Sequence, residues 1–343
     1  MTSESTSPRK PTVADVAAAA GVSVGTVSHV LTRSHTVRPA TRDRVVLAME
    51  QLGFRPNQVA RALVRHQTNT VGMVIPDIAN PFFGELARGA EDVLGVADYA
   101  TVFGNSDNDA KKEDRYLKDF DERRVDGLIV VIAAEAHSDD LRRLSAEIPT
   151  VVVDRAVAGW EGDLVVGDNR AGMGLAVRHL ASLGHRRVAL VNGDLRLSTA
   201  RERGEGFALT AAEENLEVLS VTDGAFTLES GYEQIIALLR GPRLPTAVCA
   251  ANDLLALGVL SGATEVGCRV PEDLSVVGFD DIAYARLARP SLTTIRQTSY
   301  DMGAEAARLL LGRISSNGLS ARRIVMPPQL VVRASTASPG PER

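Results

Sequence analysis

One stretch of the sequence has the spacing of a catalytic motif. Gly21-Val-Ser23-Val-Gly25 fits the pattern Gly-x-Ser-x-Gly, in which a nucleophilic serine stands on a sharp turn between a strand and a helix. Here the serine lies between two segments with helical periodicity, so the turn that would expose its hydroxyl is not expected. The sequence has no phosphate-binding Gly-Lys-Ser/Thr loop, no zinc-binding His-Glu-x-x-His and no dinucleotide-binding glycine pattern. These observations argue against an enzyme and predict neither a metal nor a cofactor.

The same stretch predicts two short helices joined by a tight turn. Thr12 is a suitable N-cap for the first helix, and Asp15 three residues later approximates a capping box. Gly21 stands where this helix must end and the chain must reverse, because glycine takes a positive φ without strain. Ser23 is then placed to cap the second helix.

The spacing of small and apolar residues favours a helix-turn-helix over two unrelated amphipathic helices. Counting from Val13, a small residue (Ala17) is fifth, Gly21 is ninth and an aliphatic residue (Val27) is fifteenth. The small side chain lets the two helices cross closely. Because a helix-turn-helix lays its second helix in a groove of DNA, residues 12–56 are predicted to be a DNA-binding domain.

Charge is distributed unevenly along the chain. The whole sequence has a formal net charge of −5, but residues 1–69 carry nine Lys and Arg against four Asp and Glu. That segment therefore has a charge of +5, which leaves −10 on the rest of the chain. A basic segment attached to an acidic body is typical of a protein that grips a phosphate backbone with one end only.

Composition limits the class of protein. The 343-residue length suggests two or three domains, and 45% hydrophobic but only 4% aromatic residues predict cores of Val, Leu, Ala and Ile. Cys249 and Cys268 lack a metal-binding spacing and are expected to be reduced core thiols. Residues 1–11 are predicted to be a disordered tail without a secretory signal, and no apolar run is long enough to span a membrane. We therefore expect a cytoplasmic protein.

A third helix and a very short fourth one follow the helix-turn-helix. The third, over 39–52, would present an apolar face of Val45, Val46, Met49 and Leu52. Residues 57–69 are predicted to form a hinge helix (58–64) and a polar linker. A helix this short is marginal in water, so it should fold only when a partner stabilises it.

From residue 70 onward, aliphatic strands alternate with helices, which is typical of parallel sheets covered on both faces. The alternation restarts near residue 171, so we predict two similar α/β lobes, the plan of a ligand clamp. An apolar segment over 324–332 comes before a polar tail at 334–343. Predicted strands are 71–75, 100–103, 127–132, 150–153, 187–191, 220–222, 247–250 and 274–278, and predicted helices are 85–96, 111–123, 141–146, 171–183, 201–214, 230–239, 254–266 and 302–313.

Several strings of residues are specific when taken together in their order and spacing. They are the helix-turn-helix, Gly53-Phe-Arg-Pro-Asn57, Val74-Ile-Pro-Asp-Ile-Ala-Asn-Pro-Phe-Phe83, Arg124-Val-Asp-Gly127, Asp168-Asn169, Gly184-His185, Ala251-Asn-Asp253, Pro271-Glu-Asp-Leu-Ser-Val-Val-Gly-Phe-Asp-Asp281 and Leu292-Thr-Thr-Ile295. On these strings the chain resembles the LacI/GalR (lactose-repressor/galactose-repressor) family of bacterial transcription regulators, over Thr12 to Arg333.

The resemblance implies a fold. An all-α helix-turn-helix head would precede an effector-binding and dimerisation core, 70–333, of the periplasmic-binding-protein type with two parallel-sheet sandwiches. The chain would cross between the lobes near Gly167, Arg296 and Pro327-Pro328. Lobe 1 would comprise about 70–166 and 298–325, and lobe 2 about 168–295 and 327–333.

For DNA, the resemblance implies that the start of the second helix faces base edges. His29 replaces the arginine usual in the family and should discriminate guanine less well, unless it is merely a solvated helix residue. The residues implied to contact bases are Val24, Gly25, His29 and Thr32, and those assigned to phosphates are Ser23, Thr26 and Ser28, with Thr12 also in the DNA-binding set.

In the hinge helix, the resemblance implies that Leu63 wedges into a central minor-groove step when two copies meet, with Asn57 and Arg61 nearby. The alternative is that Leu63 is buried inside the protein. This geometry requires a dimer that reads a pseudo-palindrome.

The effector site is expected between the lobes, where the carboxyl ends of the strands face each other. Planar hydrogen-bonding groups and aromatic faces suit the hydroxyls and C–H surfaces of a sugar. Asp253 and Asp281 could equally cap helices, and Trp160 could line the mouth or lie on the surface. The predicted residues are Asp77, Asn80, Phe82, Phe83, Asp154, Arg155, Arg203, Asn252, Asp280 and, at a crossover, Gln297.

These expectations describe a DNA-binding regulator, in the first instance a repressor. Its partners would be double-stranded operator DNA, a sugar-like effector and a second copy of the chain, in a dimer or a tetramer, with no membrane. One alternative is a solute-binding protein with the same core, which the DNA-binding head and the lack of an export signal disfavour. Another is a regulator that the effector activates.

Overall fold

The computed structural model describes residues 11–32, 36–54, 67–133, 139–316 and 318–340. The chain divides into two compact units, Met1–Asn69 and Thr70–Arg343. Within the described residues, no single helix is both long and apolar enough to cross a membrane.

The first unit contains the predicted helix-turn-helix, α1 (Val13–Ala20) and α2 (Val24–Thr32), followed by α3 (Pro39–Leu52). The capping box is present: Thr12 Oγ1 accepts a hydrogen bond from the Asp15 N–H (3.3 Å), and the Asp15 carboxylate accepts one from the Thr12 N–H (2.7 Å). Gly21 has a φ of 62°, and the helix direction changes by 106° between α1 and α2. Ser23 Oγ accepts the N–H of Thr26 (3.1 Å) and so caps α2.

The core of this unit is small, and the sequence predicted it only in part. Val46 and Leu52, predicted to lie on the apolar face of α3, are 38% and 39% exposed. The bundle covers only a narrow stripe of α3, so Val45, as predicted, and Ala48, which was not predicted, are buried one turn apart. The buried cluster is Val16, Ala17, Ala20, Val27, Val30, Val45 and Ala48.

The first lobe of the second unit, lobe 1, is a six-stranded sheet with helices on both faces. Its strands are β1 (Thr70–Ile75), β2 (Ala100–Asn105), β3 (Gly127–Val130), β4 (Thr150–Val153), β5 (Asp163–Gly167) and β11 (Arg323–Met326), and its helices are α4 (Pro81–Val96), α5 (Ala110–Glu122), α6 (Asp139–Ser145) and α12 (Ser299–Ser315). The strand order is β11-β5-β4-β3-β1-β2, and every neighbouring pair is parallel. All carboxyl ends therefore lie at one edge of the sheet.

Lobe 2 repeats this plan. Its strands are β6 (Arg187–Val191), β7 (Glu217–Thr222), β8 (Ala247–Ala250), β9 (Ser275–Asp280), β10 (Thr293–Arg296) and β12 (Gln329–Val331), and its helices are α7 (Asn169–Ser182), α8 (Ser198–Glu213), α9 (Leu228–Leu239), α10 (Asp253–Glu265) and α11 (Ala283–Leu287). The order is β12-β10-β9-β8-β6-β7, with β12 antiparallel to β10 and the other pairs parallel.

The chain passes between the two sheets at three places: from β5 to α7, from β10 to α12, and from β11 to β12. The first and third of these crossovers are joined, since the Asp168 N–H donates to the Met326 carbonyl (3.0 Å). The predicted fold class, a helix-turn-helix head with a two-lobed α/β core, is confirmed.

Five elements were not predicted as helices or strands: β5, β10, β11, β12 and α11, of which β11 and β12 lie in the segment predicted only to be apolar. Strand β5 begins with Asp163, a charge that argues against a buried strand, yet its carboxylate accepts hydrogen bonds from Arg313 Nη2 (3.0 Å) and the Arg322 N–H (2.7 Å). In β10, Thr293 and Thr294 are fully buried, and the hydroxyl of each has a hydrogen-bond partner. A hydropathy pattern does not detect such strands, because their buried polar residues have hydrogen-bond partners that come from distant segments.

The segment predicted as a polar tail packs along lobe 2 over its described residues, 334–340. Ser335 is buried; its hydroxyl accepts the Thr293 N–H (2.8 Å) and donates to the Val276 carbonyl (2.6 Å). The ring of His185, in the predicted Gly-His string, contacts the Ala337 carbonyl through Nε2 (3.0 Å). These contacts extend the edge of lobe 2 beyond β12.

Candidate DNA interface and effector cleft

Helix α2 presents one face to its own core and the other outward. Val27 and Val30 are buried, whereas Val24 is 50% exposed. Gly25 is also exposed, and a Cβ at this position would meet only the Ser23 hydroxyl, at 3.6 Å. Val24 and Gly25 therefore offer a smooth apolar surface at the amino end of the helix.

The polar residues predicted for DNA divide into three groups. Ser23, Ser28 and His29 are exposed on α2, and Thr26 is half-buried, with its hydroxyl 2.9 Å from that of Ser23. The Thr12 hydroxyl is held by Asp15 at 2.7 Å, so this residue serves the cap of α1. The Thr32 side chain and residues Asn57, Arg61 and Leu63 lie outside the described part of the chain.

A narrow cavity of about 30 Å³ opens between the lobes at the carboxyl ends of their strands. Eight of the ten predicted effector residues line it, and two that were not predicted, Thr199 and Phe226, complete the lining. Thr199 lies in the first turn of α8, and Phe226 lies in the loop that follows β7. The lining residues are Asn80, Phe82, Phe83, Asp154, Arg155, Thr199, Arg203, Phe226, Asn252 and Asp280.

The other two predicted residues lie outside this lining. Asp77 accepts the Ala79 N–H (2.8 Å) and so shapes the loop after β1. Gln297 lies behind the lining and donates from Nε2 to Asp280 Oδ1 (2.8 Å). Its contact with the cavity is therefore indirect.

Both asparagines in the cavity are helix caps. Asn80 Oδ1 accepts the Phe82 N–H (3.0 Å) at the start of α4, and Asn252 Oδ1 accepts the Leu255 N–H (2.8 Å) at the start of α10. Capping fixes the direction of each amide. The amide oxygen is occupied, so each asparagine has its NH₂ group available as a donor.

Arg203 is held on three sides. Its Nε donates to Asn169 Oδ1 (2.9 Å), and its Nη1 donates to the Ala251 carbonyl (2.6 Å). The guanidinium carbon lies 4.0 Å from the ring centroid of Phe279, within cation–π range. Its Nη2 lies 3.7 Å from Asp280 Oδ1.

Arg155, on the opposite wall, is equally constrained. Its Nη1 donates to Asn108 Oδ1 and to the Ile132 carbonyl, both at 2.8 Å. Its Nε is buried without a hydrogen-bond partner among the described residues. Burial lowers the pKa of Arg155 to about 10, and neighbouring Asp154 opposes that shift. A buried donor without a partner costs free energy unless a ligand satisfies it.

Two carboxylates complete the polar lining. Burial raises the pKa of Asp154, while Arg155 and Arg203 oppose the shift. Burial also raises the pKa of Asp280 to about 7, although Arg203 and Gln297 lower it. Both residues have a positive φ, 68° and 113°, which is uncommon for a residue with a side chain.

The two acidic residues that could have been helix caps have structural contacts. Asp253 accepts hydrogen bonds from Thr294 Oγ1 (2.6 Å) and the Ile282 N–H (2.9 Å). Asp281 accepts one from Arg296 Nε (2.7 Å). Trp160 lies elsewhere: its Nε1 donates to the Asp163 carbonyl (3.0 Å), and the ring lines a separate cavity of about 440 Å³ at the amino ends of β4 and β5.

The lobes also touch each other directly beside the cavity. The Ala156 N–H of lobe 1 donates to Ser198 Oγ of lobe 2 (2.9 Å). On the other side, Ile282, Leu254 and Leu257 of lobe 2 pack against the lobe 1 cluster that contains Phe82 and Phe83. The described structure therefore has its lobes in contact around a small polar cavity.

Comparisons with known proteins agree with this architecture. Residues 12–57 match the model of the bacterial regulatory proteins, lacI family, and residues 177–336 match a periplasmic binding protein-like domain. The chain is 38% identical over 326 residues to the ribose operon repressor of Bacillus subtilis (strain 168), covering 95% of this chain and 98% of that protein. The chain belongs to the LacI family.

Other LacI-family proteins align over similar lengths. The repressor PurR of Haemophilus influenzae (strain PittEE) is 37% identical over 334 residues, or 95% of this chain and 99% of that protein. A lac repressor dimer bound to operator and the anti-inducer ONPF superposes with a TM-score of 0.88 at 27% identity, over 96% of this chain and all of that one. A family member from Enterococcus faecium with bound ribose gives 0.69 at 33% identity, over 78% and 99% of the two chains.

Proposed function

We propose that this LacI-family protein is a sequence-specific transcriptional repressor that binds a pseudo-palindromic operator as a dimer and responds to a sugar in the cavity between its lobes. The head supports the DNA part, because α2 displays Val24, Gly25 and His29 on an exposed face. Ser23, Thr26 and Ser28 are placed to meet phosphates beside them. Since its target is the chromosome of a bacterium, the protein would act in the cytoplasm.

The observation that carries the effector proposal is the set of groups that the cavity leaves available. Asp154 and Asp280 offer acceptors, while Arg155, Arg203, Asn80 and Asn252 offer donors. A sugar hydroxyl both donates and accepts, so neighbouring hydroxyls can each bridge a carboxylate and a guanidinium or amide. The apolar faces of the same sugar would contact the rings that line the cavity, Phe82, Phe83 and Phe226.

We further propose that the effector is a neutral aldopentose and that D-ribose is the first compound to test. When both carboxylates are ionised they balance the two guanidiniums, so the cavity then has no surplus positive charge for a phosphate. The ribose operon repressor relative and the ribose-bound neighbour support the same choice.

Isothermal titration of the full-length protein with three ligands tests this proposal. D-Ribose should bind, and 2-deoxy-D-ribose should bind roughly tenfold or more weakly, because a buried polar group loses its hydroxyl partner. D-Ribose 5-phosphate should bind more weakly still, since its charge would be buried without a counter-charge. Absence of ribose binding, or tighter binding of the phosphate, would contradict the proposal.

A truncation separates the two functions. A variant lacking residues 1–66 retains the whole second unit and its cores. It should bind D-ribose like the full-length protein and fail to bind the operator in an anisotropy assay. Adding D-ribose to the full-length protein on its operator then shows whether the sugar releases the DNA, as in a repressor relieved by its effector, or strengthens binding, as in an effector-activated regulator.

A further inference from the structure

Asn169 is a buried residue behind the effector cavity that forms hydrogen bonds through both polar atoms of its amide. It is the first residue of α7, is 2% exposed, and does not line the cavity. Its Oδ1 accepts from Arg203 Nε (2.9 Å), and its Nδ2 donates to Glu202 Oε2 (2.8 Å). Arginine can only donate and a carboxylate can only accept, so these two partners fix the orientation of the amide.

The contact with Asn169 determines where the free end of Arg203 points. A guanidinium is planar and rigid, so hydrogen bonds from Nε to Asn169 and from Nη1 to the Ala251 carbonyl fix its position and in-plane rotation. The ring of Phe279 fixes its face. Nη2, 3.7 Å from Asp280 Oδ1, is then the guanidinium nitrogen without a hydrogen bond to the described residues.

The backbone that carries Asn169 is itself well fixed. The preceding residue, Asp168, donates its N–H to the Met326 carbonyl (3.0 Å), and its carboxylate caps α7 by accepting the Ala171 N–H (3.0 Å). Gly167 lies so close to Gln297 that a Cβ there would be 2.1 Å from Oε1. Asn169 therefore projects from the point where the three crossovers between the lobes touch.

We propose that Asn169 is a positioning residue of the effector site, which orients the guanidinium of Arg203 toward the ligand. Its amide is required because it offers one acceptor to Arg203 and one donor to Glu202 from a short side chain. Without it, Arg203 Nε would be a buried donor with no partner, and the guanidinium would turn to find one. The affinity consequences of this inference rest on the proposed sugar effector.

A first measurement does not depend on any ligand. In the full-length protein labelled with ¹⁵N-arginine, the Nε–H of Arg203, assigned by its loss in Arg203→Lys, should exchange slowly with water. In Asn169→Leu, which keeps the size of the side chain but removes both polar atoms, that protection should be lost. Unchanged protection in Asn169→Leu would overturn the proposal whatever the ligand is.

A second measurement uses D-ribose titration and a polarity swap. Asn169→Leu should weaken ribose binding roughly tenfold or more in the wild-type background and by less than about threefold when Arg203 is already Lys. In Asn169→Asp combined with Glu202→Gln, the new carboxylate accepts from Arg203 Nε. The contact with residue 202 is kept with its direction reversed, because the new amide donates to the carboxylate. This double variant should bind within about threefold of the wild type, as should Glu202→Gln alone.

The outcomes distinguish positioning from a general structural role. An equal loss in both backgrounds, or a double variant as weak as Asn169→Leu, would overturn the proposal, because general destabilisation is neither cancelled by Arg203→Lys nor repaired by the swap. Melting temperatures of all variants, together with operator affinity in the absence of sugar, provide the control for folding. Failure of the wild type to bind ribose would instead overturn the sugar proposal and leave the exchange measurement decisive for Asn169.

Discussion

The head and the effector cavity differ in how far their binding residues are buried. In the head, Val24, Gly25 and His29, which are proposed to meet bases, are exposed, and seven buried residues of its described part hold the helix that displays them. In the cavity, the ionisable residues Asp154, Arg155, Arg203 and Asp280 are almost fully buried. Arg155 and Arg203 are held by hydrogen bonds to distant segments, and Asp280 accepts one from Gln297. A DNA-binding domain needs a rigid surface. A closed sugar site needs desolvated polar groups, a few of whose hydrogen-bonding atoms have no partner in the protein.

This difference predicts where substitutions act. Changes at exposed residues of the head should alter binding without altering stability. Changes at buried charges of the cavity should alter binding strongly, because a ligand group loses a partner in a site that excludes water. The predictions below run from the largest expected effect to the smallest.

The largest effect is expected at Asp154. Its carboxylate accepts no hydrogen bond from the described residues, so it is available to a ligand hydroxyl, and Asp154→Asn removes the charge while keeping the shape. D-Ribose binding should weaken by roughly 100-fold, because hydrogen bonds to a charged partner are the strong ones. Titration calorimetry measures the change.

Asp77 provides the matched control for this prediction. It carries the same side chain in the loop after β1, but it bonds to Ala79 and lies outside the cavity lining. Asp77→Asn should bind D-ribose like the wild type. Equal losses in the two variants would mean that the cavity does not define the ligand site.

The head should be most sensitive where its helices cross. Ala17 is buried in the core, so Ala17→Leu must push α1 away from its neighbours. Overpacking of this kind costs about 2 kcal/mol, which raises the ratio of unfolded to folded head roughly 30-fold. The melting temperature of the head should therefore fall, and operator affinity should fall in proportion to the folded fraction, because only the folded head binds. Ala18→Leu adds the same side chain at an exposed position of the same helix and is the control. Ribose affinity should be unaffected in both, and a loss of operator binding by Ala18→Leu would contradict the packing argument.

The two regions also differ in how far the sequence alone could predict them. In the head, caps and turns are local, so Thr12, Asp15, Gly21 and Ser23 could be assigned from their neighbours in sequence. The outward face of α3 could not, because which stripe of a short helix is covered depends on how its partners pack.

In the cavity, position after a strand was informative. Eight lining residues could be predicted because polar and aromatic side chains stand directly after strands or at helix starts. Thr199 was missed because its helix was predicted to begin at 201 and not at 198, and Phe226 lies in a loop four residues after its strand. Asp77 has the pattern but bonds locally. Long-range pairs such as Asn169 with Arg203 leave no mark in one sequence, because nothing in the spacing of two helices fixes which side chains meet.

A third prediction concerns a buried carboxylate behind the cavity wall. Glu113 accepts the Ala133 N–H (2.5 Å), and burial raises its pKa from 4.5 to about 7 despite that hydrogen bond. Because the folded protein holds this proton more tightly than the unfolded chain, the associated stability is fully present below about pH 4.5 and is lost as the pH rises through about 7. Stability of the wild type should therefore fall over this range.

Glu113→Gln removes this titration while keeping an acceptor for Ala133. Compared with the wild type, the variant should gain about 1–2 kcal/mol of unfolding free energy between about pH 5 and pH 8, measured by urea unfolding. Glu122→Gln, at an exposed position on the same helix, should show no such trend. A difference between Glu113→Gln and the wild type that does not change with pH would contradict the assignment.

The smallest effect is expected at Val24. Half of its side chain is exposed, so Val24→Ala removes two methyl groups from a solvated surface and should leave the melting temperature of the head unchanged. If the side chain meets a thymine methyl, operator affinity should fall by about 1 kcal/mol, roughly fivefold, while binding to unrelated DNA stays the same.

Val46→Ala is the matched control, because it shortens a valine of similar exposure on α3. A similar loss in both variants, or an equal loss on specific and unrelated DNA, would mean that Val24 contributes only to the general surface. An effect confined to Val24 and to the operator would show that an exposed residue, unlike a buried charge of the cavity, can carry specificity without stabilising the fold.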